Sequence, residues 1–119
     1  MVYPAGKSMQ AGGVERLQRE AVRAAALLRG LANPQRLALL CQMLEAERCV
    51  SELEEATGIR QPTLSQQLGV LRRQGFVKTR REGKRIHYRI GSPAAATVLE
   101  VLYSIYCAPK AGNTRKGNP

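Results

Sequence analysis

The chain has 119 residues and a formal net charge of +10, and 44% of it is apolar, with one Phe and no Trp, so its core must be built from Leu, Val, Ile and Ala. That length suits one domain with a modest core, and a small helical domain of this kind often completes its burial against a second copy. No apolar run approaches the roughly 20 residues of a membrane span, and residues 1–13 lack the continuous apolar centre of a signal peptide, so a cytoplasmic protein is expected.

Residues 1–12 are rich in small and turn residues and read as a flexible N-terminal arm. A folded domain is expected over residues 13–107. It opens with a helix, Val14 to Leu31, whose apolar side is Val14, Leu17, Ala21, Ala24, Ala25 and Leu28. Asn33 as N-cap and Pro34 as first helical residue restart the chain. The helix that follows, to Glu45, is expected to bury Leu37, Leu40, Cys41 and Leu44. A shorter helix is read over Val50 to Thr57, with Ser51 as N-cap and acids in its first turn. Gly58 and Ile59 then make a turn with an apolar plug.

Gln61 to Arg73, QPTLSQQLGVLRR, is the stretch around which the rest is organised. Leu64, Leu68 and Leu71 fall at i, i+4 and i+7, one narrow buried stripe. Pro62, Gln66, Gly69 and Arg73 point the opposite way, with Thr63 and Ser65 on the flanks. This outward face carries hydrogen bonders and no acid. Pro62 suits a first helical turn and Gly75 suits the exit. Helix, glycine-containing turn, helix is the helix-turn-helix pattern, whose second helix enters the DNA major groove. An ordinary αα-hairpin has the same local pattern, so the next segment carries weight.

That segment, Phe76 to Ile90, has the period of a strand: Ile86, Tyr88 and Ile90 alternate with His87 and Arg89, and Val77 and Thr79 with charged neighbours. Arg81-Glu82-Gly83-Lys84 is read as the turn. A hairpin directly after a reader helix is a wing, and Arg81, Lys84 and Arg85 at its tip are placed to meet phosphates or the minor groove. His87 is read as a wing residue facing solvent or phosphate. Between Arg60 and Arg89 stand nine of the nineteen bases with Glu82 as the one acid, while other acids gather in Glu45 to Glu55. A basic surface concentrated in this way argues for a polyanion partner. Ser92 and Pro93 open the last helix, Ala94 to Cys107, with Val98, Val101, Leu102, Ile105 and Tyr106 apolar. Residues 108–119 show no period and read as a disordered basic tail.

The fold class expected is therefore mainly α with a β-hairpin wing, in the order α-α-α-α-β-β-α. With LANPQRLALL before the reader pair and TLSQQLGVLRRQGFVKTRREGKRIHYRI through it, the chain resembles the ArsR family of bacterial winged-helix repressors over roughly Ala25 to Cys107. The resemblance implies a homodimer built from the first and last helices, two reader helices in successive major grooves of palindromic double-stranded DNA, and release on inducer binding. Gln61, Thr63, Ser65 and Gln66, on a face shared with Pro62, are the expected base readers; Arg72, Arg73, Arg81, Lys84 and Arg85 are expected on the backbone.

The three cysteines, an odd number, do not form a structural disulfide set. The thiolate metal site of the family's third helix needs a Cys-Val-Cys pair; here the stretch reads Cys49-Val50-Ser51, one ligand short, and the last helix has none of the histidines of the family's other zinc site. No metal site or cofactor is expected, and Cys49 is read as incidental. Cys41 lies on an apolar stripe, where packing alone explains it. The pairing of Cys41 with Cys107 nevertheless resembles the branch of the family that senses reactive sulfur species and oxidants. That likeness implies an inducer, persulfide or polysulfide, that links the two thiols directly or through added sulfur. Cys107 at a helix C-terminus meets the negative end of the dipole, so Cys41 is expected to attack first. A thiophilic metal or metalloid such as As(III), bound by Cys41, Cys107 and Cys49, is the alternative inducer. A thiol enzyme is not expected, because there is no C-x-x-C and no cysteine with a base suggested by sequence.

Overall fold

The computed structural model of the chain describes residues 13–107. The expected arm and tail lie outside the described residues. Five helices and three strands follow in the order α1 (Gly13–Leu31), α2 (Pro34–Gln42), β1 (Arg48–Cys49), α3 (Val50–Thr57), α4 (Thr63–Arg73), β2 (Val77–Glu82), β3 (Arg85–Ile90) and α5 (Pro93–Tyr106). The winged helix-turn-helix is α3, α4 and the β2–β3 hairpin.

Local chemistry sets most boundaries. Asn33 Oδ1 accepts the Arg36 N–H at 3.0 Å with Pro34 in the first turn of α2, and Ser92 Oγ accepts the Ala95 N–H at 3.1 Å at the start of α5. Gly58 closes α3 at φ 76°, and Gly75 closes α4 at φ 80°, where a side chain would be strained. The expected Ser51 cap of α3 is corrected to Cys49. Cys49 still pairs with His87 as the last extended residue, and its N–H is taken by the Glu52 carboxylate at 2.9 Å, so the helix begins at Val50.

The sheet has three antiparallel strands in the order β1-β3-β2, one more than the hairpin expected. β1 is two residues long, too short to show a period, and it exists because β3 has a free edge beside it. Register across the hairpin runs from Val77 opposite Ile90 to Glu82 opposite Arg85. The loop is therefore Gly83-Lys84 alone, with Gly83 at φ 64°, and Arg81 and Glu82 belong to the strand.

The core gathers Leu31, Leu39, Leu40, Met43, Leu53, Leu64, Leu68, Leu71, Phe76, Val77, Ala95 and Leu99. The stripe expected on α4 is buried as read. On α2 the register differs: it ends at Gln42, Leu39, Leu40 and Met43 are the buried positions, and Leu37, Cys41 and Leu44 are only partly covered. Leu39 and Leu99, absent from the expected stripes, are fully buried, because α2 and α5 each meet the core from more than one side. The expected apolar side of α1 is exposed, Val14 by 70% and Leu28 by 56%. Only its C-terminal end, Leu27, Gly30 and Leu31, reaches the core region.

Removing the Leu39 side chain should leave a cavity in the centre of this core. Leu39→Ala is expected to destabilise by about 2–5 kcal/mol in urea unfolding followed by circular dichroism, whereas Glu55→Ala at an exposed position of α3 should change it by less than about 0.5 kcal/mol.

Candidate DNA interface and thiol pair

The seam of α4 faces inward, so its opposite face is turned to solvent. Gln61, Pro62, Ser65, Gln66, Arg72 and Arg73 are exposed and Thr63 is half-buried. Helical geometry begins at Thr63, two residues later than the expected Gln61 start and one after Pro62, which occupies the capping position. Gln61 uses its side-chain oxygen to accept the Ser65 N–H at 3.0 Å, which satisfies one orphan donor of the first turn and leaves the side-chain NH2 free to donate outward. Pro62 O and Arg60 O take the Gln66 and Leu64 N–H groups.

Gln67, on the same helix, is held. Its Oε1 accepts from Arg36 Nη1 at 3.2 Å and its Nε2 donates to Gln35 Oε1 at 3.0 Å. Arg36 also donates Nε to the Gly30 carbonyl at 2.7 Å. One guanidinium on α2 thus joins the end of α1 to the middle of α4. No local pattern signals this latch, since the partners lie 31 positions apart.

On the wing, Arg81, Lys84 and Arg85 are all exposed. Among the described residues no carboxylate lies within 4 Å of these three, nor of Arg72 or Arg73. Exposed cations without a carboxylate partner are available to a phosphate backbone. Arg80 and Arg89 behave differently. Arg80 Nη2 lies 2.6 Å from Glu47 Oε1, and Arg89 Nη1 lies 3.9 Å from Glu47 Oε2. The acids near Glu45 to Glu55 are therefore not all remote from the basic segment: Glu47 neutralises its inner side and fixes the wing to the loop after α2. The Arg80 hydrogen bond holds the Glu47 carboxyl below the usual carboxylate range, so this tie is present at neutral pH and is lost as pH falls through that lowered value. His87 is not a solvent-facing residue. Its side chain is 16% exposed and its Nε2 lies 3.4 Å from Glu82 Oε1.

All three cysteines are thiols. Cys49 is buried, with Ser51 Oγ at 3.3 Å and Arg85 Nη1 at 3.9 Å from its sulfur. Cys41 and Cys107 line one groove of about 490 Å3 between α2 and α5, together with Leu37, Ala38, Leu102, Tyr103 and Tyr106. Burial, and secondarily the charge of a Cys107 thiolate, push the Cys41 thiol up from its ordinary value. Cys107 is exposed at the end of α5. Desolvation disfavours the Cys41 thiolate.

Residues 33–79 match the family described as "Bacterial regulatory protein, arsR family". The chain is 52% identical over 94 residues to the biofilm growth-associated repressor of Agrobacterium fabrum, covering 79% of this chain and 80% of that one. The chain belongs to the ArsR family. It is 35% identical to the transcriptional activator HlyU of Vibrio cholerae over 90% of this chain and 96% of that protein. Among solved structures it is similar to the transcriptional repressor BigR of Xylella fastidiosa, at a TM-score of 0.73 and 49% identity over 78% of this chain and 92% of that one. Reduced HlyU of Vibrio cholerae matches at a TM-score of 0.76 and 35% identity, over 80% and 100%. As an ArsR-family protein with this fold it is a DNA-binding transcriptional regulator. No helix among the described residues is long and apolar enough to cross a membrane.

The exposure of Cys107 and the desolvation of Cys41 lead to an expected order of alkylation. With limiting iodoacetamide near neutral pH, peptide mapping should find Cys107 alkylated before Cys41, and the Cys41 rate should climb at a higher pH than that of a small free thiol.

Proposed function

We propose that the chain is a homodimeric repressor that holds a palindromic operator while Cys41 and Cys107 are thiols and lets go when reactive sulfur species link them. The observation that carries the reading is that both thiols line one groove between α2 and α5. A polysulfide is the oxidant. The Cys107 thiolate attacks an internal sulfur and expels a shorter polysulfide; the Cys41 thiolate then attacks the attached sulfur chain and expels hydrosulfide or a hydropolysulfide. Two thiols lose two protons and two electrons, and the departing sulfur carries the electrons. The sulfur is consumed once per bridge, so this is sensing and not turnover.

Two features connect the bridge to DNA. Among the described residues, all seven exposed large hydrophobic side chains, from Val14 to Tyr106, lie on α1 and α5, which supports a dimer built from those helices. The same α2 that carries Cys41 holds Gln67 of the reader helix through Gln35 and Arg36. A bridge that draws α2 against α5 therefore pulls on α4. In a two-fold dimer the readers must sit one DNA turn apart, about 34–36 Å, and a reader shifted off its base pair forfeits about 1–3 kcal/mol of discrimination there. Names of the relatives, repressors among them, agree with regulation at a promoter.

Reduced protein treated anaerobically with polysulfide should give an intramolecular Cys41–Cys107 bridge by intact and peptide mass spectrometry, with operator binding abolished in the same samples. Cys41→Ser and Cys107→Ser proteins should keep their DNA. Unlinked thiols and undiminished binding would sink the reading, and a chelator-reversible release of DNA with As(III) would replace it by the metalloid one. Separately, the log-log salt slope of operator binding should become shallower by about 0.9 for each phosphate no longer neutralised when Arg81, Lys84 and Arg85 are changed to Ala. An unchanged slope would remove the wing from the interface.

A further inference from the structure

The groove has a chemistry of its own besides its two thiols. Its other described lining residues are Leu37, Ala38, Ala56, Leu102, Tyr103 and Tyr106, with uncharged polar groups from Gln42, Thr57 and the two tyrosine hydroxyls. Among the described residues no lining side chain is Lys, Arg, Asp or Glu, although the chain as a whole carries +10. The long-range field therefore draws anions toward the molecule, while the described lining of the groove offers an anion only neutral hydroxyl and amide donors and no cation. Burying an unpaired carboxylate or sulfonate costs far more than burying a neutral molecule of the same size. Sulfane sulfur itself is soft and weakly hydrated, so an uncharged carrier loses little on entering. About 490 Å3 is ample for a small organic polysulfide.

We infer that the groove between α2 and α5 admits uncharged sulfane-sulfur donors, such as dialkyl trisulfides, in preference to anionic ones. The inference rests on the reading of Cys41 and Cys107 as the sensing pair and names the class of molecule that reaches them. The reaction balances without a further oxidant. The Cys107 thiolate attacks the central sulfur of R–S–S–S–R and releases one RS⁻. The Cys41 thiolate attacks the same sulfur and releases the second. The product is a Cys41–S–S–S–Cys107 trisulfide, one sulfur gained and two hydrogens lost, with two molecules of RSH formed.

Two probes with the same reactive core separate charge from reactivity: dimethyl trisulfide and the dianionic bis(2-carboxyethyl) trisulfide. Each bridging rate in the full-length protein, read by mass spectrometry, is divided by the rate of the same probe with mercaptoethanol. The neutral probe is expected to be ahead by about tenfold or more at moderate salt. Ala38→Lys, at an exposed position on the groove wall, should raise the dianion rate and narrow the ratio with the fold unchanged by circular dichroism. A dianion as fast as the neutral probe, or a ratio that ignores Ala38→Lys, would overturn the inference. So would bridging by inorganic polysulfide with neither organic probe reacting. Failure of all three donors to link the thiols would instead bring down the sensing reading itself.

Discussion

Leu64, Leu68 and Leu71 are buried in one cluster with Leu39, Leu40 and Leu53, and this apolar packing sets the orientation of α4. With the seam turned inward, Ser65, Gln66 and Arg73 have no choice but to face out. The helix carries few other apolar groups to hold it in a second orientation. Burial of three leucine side chains, each worth about 1.5–3 kcal/mol against exposure, is thus what presents the polar face. The same packing makes α2 the bed on which the reader lies. Arg36 reinforces that dependence with hydrogen bonds to Gln67 and to the Gly30 carbonyl.

Charge is partitioned on the same scaffold. Glu47 takes up Arg80 and Arg89 on the wing, while among the described residues the cations without a carboxylate within 4 Å include Arg72 and Arg73 at the reader exit and Arg81, Lys84 and Arg85 near the wing tip. Ion pairs that are this exposed add little to stability. Their consequence is local: they neutralise Arg80 and hold the hairpin to the loop that follows α2. The described lining of the groove at the other side of α2 carries no Lys, Arg, Asp or Glu, and burial there raises the Cys41 thiol, while Cys107 is exposed.

Much of this was legible in local patterns. The reader's stripe, the Asn33 and Ser92 caps, the glycine exits and the existence of the hairpin each depend on residues within a few positions of one another, and the structure places them as read. The misreadings share a different character. Ser51 loses the cap of α3 to Cys49 because β3, nearly forty positions on, extends the strand as far as Cys49. The hairpin closes in two residues and not four because pairing continues to Glu82 and Arg85. His87 turns toward Glu82, and Leu39 and Leu99 are covered by elements that approach from outside their own helical stripe.

Local sequence was enough for the order and type of the main elements, the family, and the two faces of α4, because periodicity, caps and turn residues act over one or two turns of chain. Packing in three dimensions determined which cations keep a free charge, which side chain latches Gln67, and that Cys41 and Cys107 line one uncharged groove. Those outcomes depend on distances between residues 31 to 66 positions apart in the chain, and no local pattern encodes where packing will bring such residues together.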